Sequence, residues 1–386
     1  MGWRDGELSN VWRGIWFPLA QRDDGREDYF LRVIFLLVFA LLPGIFTRPA
    51  HAQEHHLWEV YVLGMGGDSA QLLFQDLRSG EVTTVQVTGE RFTPLGQRVL
   101  YYDTESRMMM TAAPDGSVQP HPFIQPGTAR RVDWIVSSDQ RQIAWTLTFA
   151  EGGSLRTETY VASPGGTEQR LILADSARTD GVRALPVAFS ADNSALIMDA
   201  HPDIIGDLAP YTQYARLFRV SLSNSEIELL PDDDFPCFCG AGIRAGVLLR
   251  LSVTADLRGF ELLLFDLDSG TERTIEAYAL PNYTQAGDIL ISPDGSRAVY
   301  ALSQMENFGT PDQRISTVFM LVNLETMTQR PLTERITTYV HPLRWTEDQT
   351  AVIFTSPLRD GTWKVSLADG VLTNVAQATL VGTLRD

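Results

Sequence analysis

Short apolar runs separated by polar turns extend along the chain from Leu57 onward, and one order of residues recurs among them. An apolar residue is followed by Ser or Thr, by any residue and by Asp, and an apolar or aromatic run comes a few residues later. Ser and Asp side chains hydrogen-bond to nearby backbone amides, so this order predicts a tight turn before a buried strand. The four turn aspartates are Asp139, Asp192, Asp294 and Asp348. A fifth copy, from Phe92 to Tyr101, has Leu95 in place of the aspartate.

A second pattern lies between these turns, in which an alternating strand, a polar turn and another strand follow one another. It occurs seven times, at residues 73–80, 112–116, 160–166, 218–224, 264–270, 322–326 and 365–370. Alternation with a period of two and a turn that contains Gly or Asn are typical of β-hairpins. No part of the chain beyond residue 52 shows a convincing helical period. The sequence therefore predicts an all-β protein built from repeats.

The alternation of the two patterns resembles the TolB-type, WD40-like β-propeller repeats of bacterial exported proteins. The segment Ile291–Tyr300 is nearly a consensus copy of the first pattern, and the resemblance covers about residues 57 to 384. The stretch Cys239–Leu251 departs from it, because only the strand that begins at Val247 is kept. The resemblance implies a free-standing propeller, since no segment corresponds to the α/β domain that precedes the propeller in TolB.

Seven hairpins over residues 53–386 correspond to about 48 residues per blade, which suits four strands with their loops. We therefore predict seven four-stranded blades, with six or eight as alternatives. The first repeat has only three strands' worth of sequence. The apolar tail at 378–384 is predicted to supply the missing inner strand and so to close the ring.

Residues 33–46 form an uncharged apolar run that is followed by Ala50-His51-Ala52. This order is typical of a signal peptide with a small-residue cleavage site, and the run is short for a membrane span. We therefore divide the chain into residues 1–52 as an export segment and 53–386 as one propeller. Two alternatives stay open, a true start nearer Leu31 or an uncleaved membrane anchor. All three predict an extracytoplasmic propeller, periplasmic or secreted, and the last one tethers it to the membrane.

The chain has a formal net charge of −17, which argues against binding to nucleic acid. Its 44% of hydrophobic residues against 20% of charged ones is enough for a sizeable core. The two cysteines, Cys237 and Cys239, are too few for a disulfide framework. A local disulfide and two partly buried thiols both remain open for this pair.

Three histidines of the expected propeller each precede a proline: His121, His201 and His341. In a propeller, the links between blades and the middle link of each blade open on the same face, so these imidazoles could meet at the channel mouth and bind a divalent metal. Some TolB-like propellers are metal-dependent lyases with such a cluster. The plainer alternative is that His and Pro are common in polar loops.

Two long loops, at 199–214 and 303–314, are the candidates for a recognition face, because binding residues concentrate on loops that a rigid scaffold holds. The candidate ligand-binding residues are His201, Asp203, Tyr211, Tyr214, Phe308 and Asp312. For the aromatic residues, the alternative is local packing that holds the long loops down.

The sequence contains no Gly-x-Ser-x-Gly elbow, no His-Glu-x-x-His zinc motif and no Walker or Rossmann glycine pattern. We therefore expect a monomeric, non-catalytic propeller that binds a protein or cell-envelope ligand, without a cofactor. The alternative is a metal-dependent propeller enzyme, of the polysaccharide lyase or hydrolase type, with the histidine cluster at its channel mouth.

Overall fold

The computed structural model of the chain describes residues 57–64, 69–203, 210–231, 240–244, 246–356 and 359–385. All regular elements in these ranges are β-strands, and they form seven antiparallel sheets of four strands. The protein is a seven-bladed β-propeller, as predicted. The predicted export segment lies outside the described residues.

The blades follow one another along the chain, and we number them in that order. Blade 1 consists of β28 (Thr379–Leu384), β1 (Trp58–Leu63), β2 (Ala70–Asp76) and β3 (Val82–Val87). Blade 2 consists of β4 (Glu90–Leu95), β5 (Arg98–Asp103), β6 (Met108–Ala112) and β7 (Val118–Pro120). Blade 3 consists of β8 (Arg131–Val136), β9 (Ile143–Glu151), β10 (Ser154–Ala162) and β11 (Arg170–Arg178). Blade 4 consists of β12 (Val182–Phe189), β13 (Ala195–Pro202), β14 (Leu217–Ser221) and β15 (Ile227–Leu229).

The remaining blades have the same strand order. Blade 5 consists of β16 (Ala241–Arg244), β17 (Val247–Val253), β18 (Phe260–Asp266) and β19 (Glu272–Ile275). Blade 6 consists of β20 (Gln285–Ile291), β21 (Arg297–Glu306), β22 (Arg314–Asn323) and β23 (Thr328–Pro331). Blade 7 consists of β24 (His341–Trp345), β25 (Ala351–Ser356), β26 (Arg359–Ser366) and β27 (Leu372–Ala376).

Each predicted outer hairpin joins the last two strands of one blade. The hairpin of blade 5 shows why the sequence favours it. The carboxylate of Asp266 accepts hydrogen bonds from the backbone amides of Asp268 and Ser269, and Gly270 adopts a positive φ of 69°. An Asx turn followed by a glycine in the left-handed region closes this hairpin without strain.

The Ser/Thr-x-Asp turns join the first two strands of blades 3, 4, 6 and 7. In the copy of blade 6, the Ser292 hydroxyl donates to Oδ1 of Asp294 at 2.5 Å and accepts from the Arg297 amide at 3.0 Å. Oδ1 of Asp294 also accepts from the Ser296 amide at 3.0 Å. The side chains thus satisfy the backbone donors that the turn leaves unpaired.

The ring closes in blade 1, where β28 pairs antiparallel with β1 as predicted. Trp58 lies opposite Leu384, and Val62 lies opposite Thr379. The C-terminal strand thereby covers the edge of β1, which would otherwise expose unpaired backbone groups.

The hydrophobic core is divided into seven clusters, and each lies between two successive blades. Between blades 6 and 7, Phe319 packs against Phe354 with ring centroids 5.0 Å apart. Between blades 7 and 1, Tyr61 packs with Ile353 and Leu380. Burial of apolar surface at every blade interface therefore holds the ring together.

The first strands of neighbouring blades contact one another around the centre of the ring, as β4 does with both β8 and β28. Links between blades and links between the second and third strands of a blade all open on one face of the propeller. We call the opening of the central channel on that face the channel mouth. None of the described residues forms a helix that is long and apolar enough to cross a membrane.

Candidate functional site

A cavity of about 570 Å³ lies at the channel mouth. First strands of several blades line it with Arg91 of β4, Arg131 of β8, Arg183 of β12 and His341 of β24. Other side chains come from β13 and from the loop at 210–214. We call this space the mouth cavity, and it is the site where loops and inner strands of the propeller converge.

Three arginines from three successive blades converge on one carboxylate at the mouth cavity. Asp133 lies on β8, 3.0 Å from Nε of Arg131 and 2.7 Å from Nη1 of Arg183. Nη1 of Arg91 lies 3.4 Å from the same carboxylate, and its guanidinium stacks 3.9 Å from the ring centroid of Trp134. The guanidinium of Arg183 and the carboxylate of Asp133 are both buried.

A second carboxylate joins this network from the long loop of blade 4. Oδ1 of Asp203 lies 3.0 Å from Nε of Arg183, and its Oδ2 lies 2.8 Å from Nη2 of Arg130. The contact between Nε of Arg183 and Asp203 is close enough for an ion pair, but the direction of the N–H bond does not suit a hydrogen bond to any described residue. Asp203, predicted as a binding residue, thus lies beside the mouth cavity as an ion-pair partner.

His201 lies on β13 directly across from Arg183 in the strand register. It is buried, and its Nδ1 lies 2.9 Å from Oδ2 of Asp199. The Asp199 carboxylate is itself fixed by the backbone amides of Ala215 and Arg216, the latter at 2.7 Å. One end of the long loop is therefore attached to the strand that carries His201.

His341 lines the mouth cavity from blade 7, and its Nδ1 lies 2.6 Å from Oδ2 of Asp288. Oδ1 of Asp288 accepts a hydrogen bond from the Thr212 amide at 3.0 Å. The ring of Tyr211 meets the His341 imidazole edge-on, with centroids 5.8 Å apart. The loop from blade 4 thus reaches blades 6 and 7 across the mouth.

Tyr211 and Tyr214 hold this loop down. Tyr211 is buried between blades 6 and 7, and its hydroxyl bonds to the Ser303 hydroxyl. Tyr214 packs against the core cluster between blades 4 and 5. Burial raises the pKa of both phenols above the usual range. The structure places both rings as packing anchors that border the mouth cavity.

The other predicted site residues lie elsewhere. His121 is buried between blades 2 and 3, where its Nδ1 accepts from the Ile124 amide at 3.2 Å and its ring meets Phe123 edge-on. Phe308 and Asp312 lie in the loop between β21 and β22, and Phe308 is 79% exposed. The structure therefore brings His201 and His341 to one cavity and leaves His121 out of it.

No group of three or more His, Cys, Asp or Glu within the described ranges could hold a metal ion. Cys237 and Cys239 lie outside the described residues.

A larger cavity of about 760 Å³ lies on the opposite face, beside the outer hairpin of blade 4. Polar turn residues line it, and its Arg219 is paired with Glu228. The mouth cavity is the stronger candidate, because buried charged side chains from several blades converge on it.

The sequence analysis did not identify four charged residues at the mouth cavity, namely Arg91, Asp133, Arg183 and Asp288. Their position within each repeat could have identified them. Each lies near the start of the first strand of its blade, a few residues before the inner turn. Charged residues at that register position lie at the channel mouth, because the same strand runs from the mouth toward the turn on the opposite face.

No known protein family matches the sequence, and no curated protein matches it. Solved structures do match. A prolyl endopeptidase has 9% identity and a TM-score of 0.58, over 84% of this chain and 50% of its own. An oligogalacturonate lyase in complex with manganese has 14% identity and a TM-score of 0.51, over 84% of this chain and 86% of its own. The propeller domain of the Trilobed protease from Pyrococcus furiosus has 10% identity and a TM-score of 0.40, over 83% of this chain and 84% of its own.

The first two similarities agree with the β-propeller fold of the seven sheets, and they show the fold alone. The chain spans half the length of the prolyl endopeptidase that it matches. Membership of the TolB-type family stays a prediction.

Proposed function

We propose that this protein is an exported, non-catalytic β-propeller that holds a protein or cell-envelope ligand on the face around the channel mouth. One observation carries this proposal. The mouth cavity is concave and lined by charged and aromatic side chains from several blades, as is typical of ligand sites that loops build on a rigid scaffold.

The site is also fixed in place. Asp203 ties the start of the long loop to blade 4, and Tyr211 docks the loop between blades 6 and 7. A preformed site loses little conformational entropy when a ligand binds, which favours recognition. The formal net charge of −17 is a reason to propose a partner other than nucleic acid.

The metal-dependent enzyme has less support. That alternative used three imidazoles at the channel mouth, whereas His121 is packed between blades 2 and 3. The resemblance in fold to an oligogalacturonate lyase, at 14% identity, gives no residue-level match for such a site.

Export is part of the proposal and rests on the apolar run at 33–46 and the Ala50-His51-Ala52 site. We expect the mature chain to begin at Gln53. N-terminal sequencing of the protein recovered from outside the cytoplasm tests this. A chain that still begins before Tyr29 would exclude cleavage and favour the anchored form.

The binding face can be tested by capturing envelope partners with three forms of the protein. Gln213→Trp places a large ring at the mouth cavity, whereas Ser223→Trp places the same ring in the outer hairpin of blade 4 on the opposite face. A partner retained by the parent and by S223W but lost by Q213W supports the proposal. A partner retained by all three forms, or lost only by S223W, contradicts it.

A further inference from the structure

We propose that the loops of blades 5 and 6, on the face that carries the channel mouth, form a docking surface for a protein segment with basic and apolar side chains side by side. Leu257 and Phe308 are the two anchors of this surface. The inference rests on the proposed function, because it names the part of that face that a protein partner contacts and the chemistry of the partner.

The two most exposed large apolar side chains among the described residues lie at equivalent positions of neighbouring blades. Phe308 is 79% exposed and Leu257 is 76% exposed, whereas the next, Leu229, is 58% exposed. Both anchors lie in the link between the second and third strands of their blade, which opens on the face of the channel mouth. A single exposed leucine is normal, but two such side chains at matching positions of adjacent blades indicate a contact surface.

The backbone at Leu257 is unfavourable for a leucine. Its turn is a further copy of the Ser/Thr-x-Asp turn, with the hydroxyl of Thr254 bonded to Asp256, and the residue after the aspartate has a positive φ. In the four turns predicted from this motif, that residue is Gln140, Asn193, Gly295 or Gln349. Leu257 has a φ of 59°, a region that is strained for a bulky side chain. Neither the turn nor the core accounts for a leucine here, whereas contact with a partner does.

The loop that carries Phe308 is fixed by its own hydrogen bonds. Nδ2 of Asn307 donates to the Asp312 carbonyl at 3.3 Å, and the Gly309 amide donates to Oε1 of Gln313 at 3.1 Å. Asn307 and Gly309 both have a positive φ, so the chain turns sharply on either side of Phe308. A preformed apolar tip loses little conformational entropy when a partner covers it.

The link between blades 5 and 6 connects the two loops. A Cβ on Gly259, in the turn of blade 5, would lie 3.2 Å from Cβ of Ala277 in this link. At the other end of the link, the Thr284 amide donates to the carbonyl of Ser303 at 3.0 Å, on the strand that leads to the loop of blade 6. Tyr278 adds an exposed ring between these two contacts. The docking surface therefore runs from the turn of blade 5 along the link to the hairpin of blade 6.

Acidic residues outnumber basic ones around the anchors. The segments 254–261, 276–284 and 304–314 contain five acidic residues and two arginines, namely Asp256, Glu261, Glu276, Glu306 and Asp312 with Arg258 and Arg314. The next link, at 332–340, adds one residue of each sign, Glu334 and Arg335, and leaves the excess unchanged. Apolar anchors among acidic residues attract a basic partner and repel an acidic one.

Two other occupants suit this surface less well. A second copy of the chain, bound through the same surface, would place its acidic loops against these acidic loops. A membrane surface with anionic lipids would repel them as well. A protein segment in which Lys or Arg lies beside apolar residues satisfies both the anchors and the charge.

Selection from a display library of random dodecapeptides tests the inference. The purified parent is the bait, and the double variant Leu257→Asn/Phe308→Ser removes peptides that bind elsewhere. We expect the parent to enrich peptides with Lys or Arg beside apolar residues, and each substitution alone to weaken their binding by about tenfold. No enrichment over the double variant overturns the docking surface. Enriched peptides without basic residues overturn the partner chemistry.

Leu77→Asn is the matched control, because Leu77 is an exposed leucine in the outer hairpin of blade 1, on the opposite face. L77N should bind an enriched peptide like the parent, and equal weakening by L77N and L257N overturns the inference. Vesicles of phosphatidylcholine test the membrane separately. Binding of these vesicles to the parent that is lost in F308S assigns the anchors to lipid and also overturns the inference.

A melt of L257N separates contact with a partner from a structural role. Asparagine tolerates the left-handed region, and Asn193 occupies the equivalent position in the turn of blade 4. L257N should therefore melt at the same temperature as the parent or higher, while it binds the peptide less well. A lower melting temperature would mean that Leu257 stabilises the turn, and it would overturn the role of Leu257 as an anchor.

The two proposals fail separately. If envelope capture depends on Gln213 but the parent enriches no peptide over the double variant, the mouth cavity stands as the binding site and the docking surface is excluded. If peptide binding depends on Leu257 and Phe308 but no captured partner depends on Gln213, the docking surface stands and binding at the mouth cavity is excluded.

Discussion

A Cβ atom at Gly287 would lie 2.5 Å from Cβ of Tyr211, closer than real Cβ atoms approach one another. Gly287 lies on the first strand of blade 6, whereas Tyr211 belongs to the long loop of blade 4. The glycine therefore provides the space in which this loop docks across the channel mouth. Its role is close approach, since its φ lies outside the left-handed region.

Gly287→Ala should displace the loop and destabilise the protein by about 1–3 kcal/mol, the usual cost of overpacking. Gly165→Ala is the matched control, because a Cβ there meets nothing within 4 Å and the backbone φ is also ordinary. Urea unfolding of both variants measures the difference. Equal stability of the two variants would show that Tyr211 does not depend on Gly287.

Ser292→Ala should destabilise the inner turn of blade 6 by about 1 kcal/mol, because it removes the acceptor of the Arg297 amide. Ser138→Ala, at an exposed position of the equivalent turn in blade 3, should change the free energy of unfolding little. Thermal unfolding of the parent and of both variants measures how much stability each substitution removes. A destabilisation of S138A as large as that of S292A would contradict this account.

The same turn should make the stability of the folded protein depend on pH in the acidic range. The hydroxyl of Ser292, with the Ser296 amide and hydroxyl, lowers the pKa of Asp294 to about 2, and Ser190 and Thr346 do the same for Asp192 and Asp348. A carboxyl with a lowered pKa in the folded state stabilises the fold above its unfolded pKa of about 3.9. Stability should therefore fall between about pH 4 and pH 2. In urea titrations, S292A should show a shallower fall than the parent in that window.

The repeat pattern predicted the blades because each turn is a local event. Asp266 with Gly270, and Ser292 with Asp294, carry their own hydrogen-bond partners within a few residues, so sequence spacing is enough to find them. One turn was missed. Thr254 and Asp256 make the same contact at 2.7 Å, but they join the second and third strands of blade 5. The motif therefore predicts a turn without fixing which pair of strands it joins.

The candidate site was harder to predict, because it depends on contacts between blades. Asp133 and Arg183 are 50 positions apart in the sequence, and the packing of blade 3 against blade 4 brings them to 2.7 Å. The histidines show the same limit. His121 begins the link between blades 2 and 3, and His341 directly follows the link between blades 6 and 7. One is packed in the core, whereas the other lines the mouth cavity. Loop position alone does not tell which way a side chain faces.

His121 should make stability depend on pH in a higher window. Burial lowers its pKa to about 4, so the folded protein holds a neutral imidazole where the unfolded chain, with a pKa of about 6.5, is already protonated. Its contribution to stability is complete above about pH 6.5 and is lost as the pH falls toward 4. The loss amounts to at most about 3 kcal/mol.

His121→Asn removes the titration while its amide oxygen can still accept from the Ile124 amide. Urea unfolding at pH 7 and pH 4.5 should show a larger drop for the parent than for H121N. The two proteins differ at this position alone, so the contributions of all other groups cancel in the comparison. Equal drops would mean that His121 is protonated in the folded state.

Closure of the ring by the C-terminal strand gives the most severe test of the architecture. Leu380 is buried between blades 7 and 1, and Leu384 is buried between blades 1 and 2. Other blades hold the strand too, since Gln140 donates to the Thr383 carbonyl at 2.8 Å and Arg344 donates to the Thr383 hydroxyl at 3.0 Å. Deletion of residues 378–386 removes all of these contacts.

This deletion should cost about 3–6 kcal/mol from the two leucines alone, and it should also expose the edge of β1 to aggregation. A synthetic peptide of residues 378–386, added in trans, should restore part of the melting temperature, whereas a scrambled peptide should not. Leu384→Ala should be destabilising, with Val371→Ala at a position that is 54% exposed as its control. Loss of β28 breaks two blade interfaces at once, so a ring that this strand closes must melt at a lower temperature without it. A truncated chain that melts like the parent would therefore show that the ring does not depend on β28.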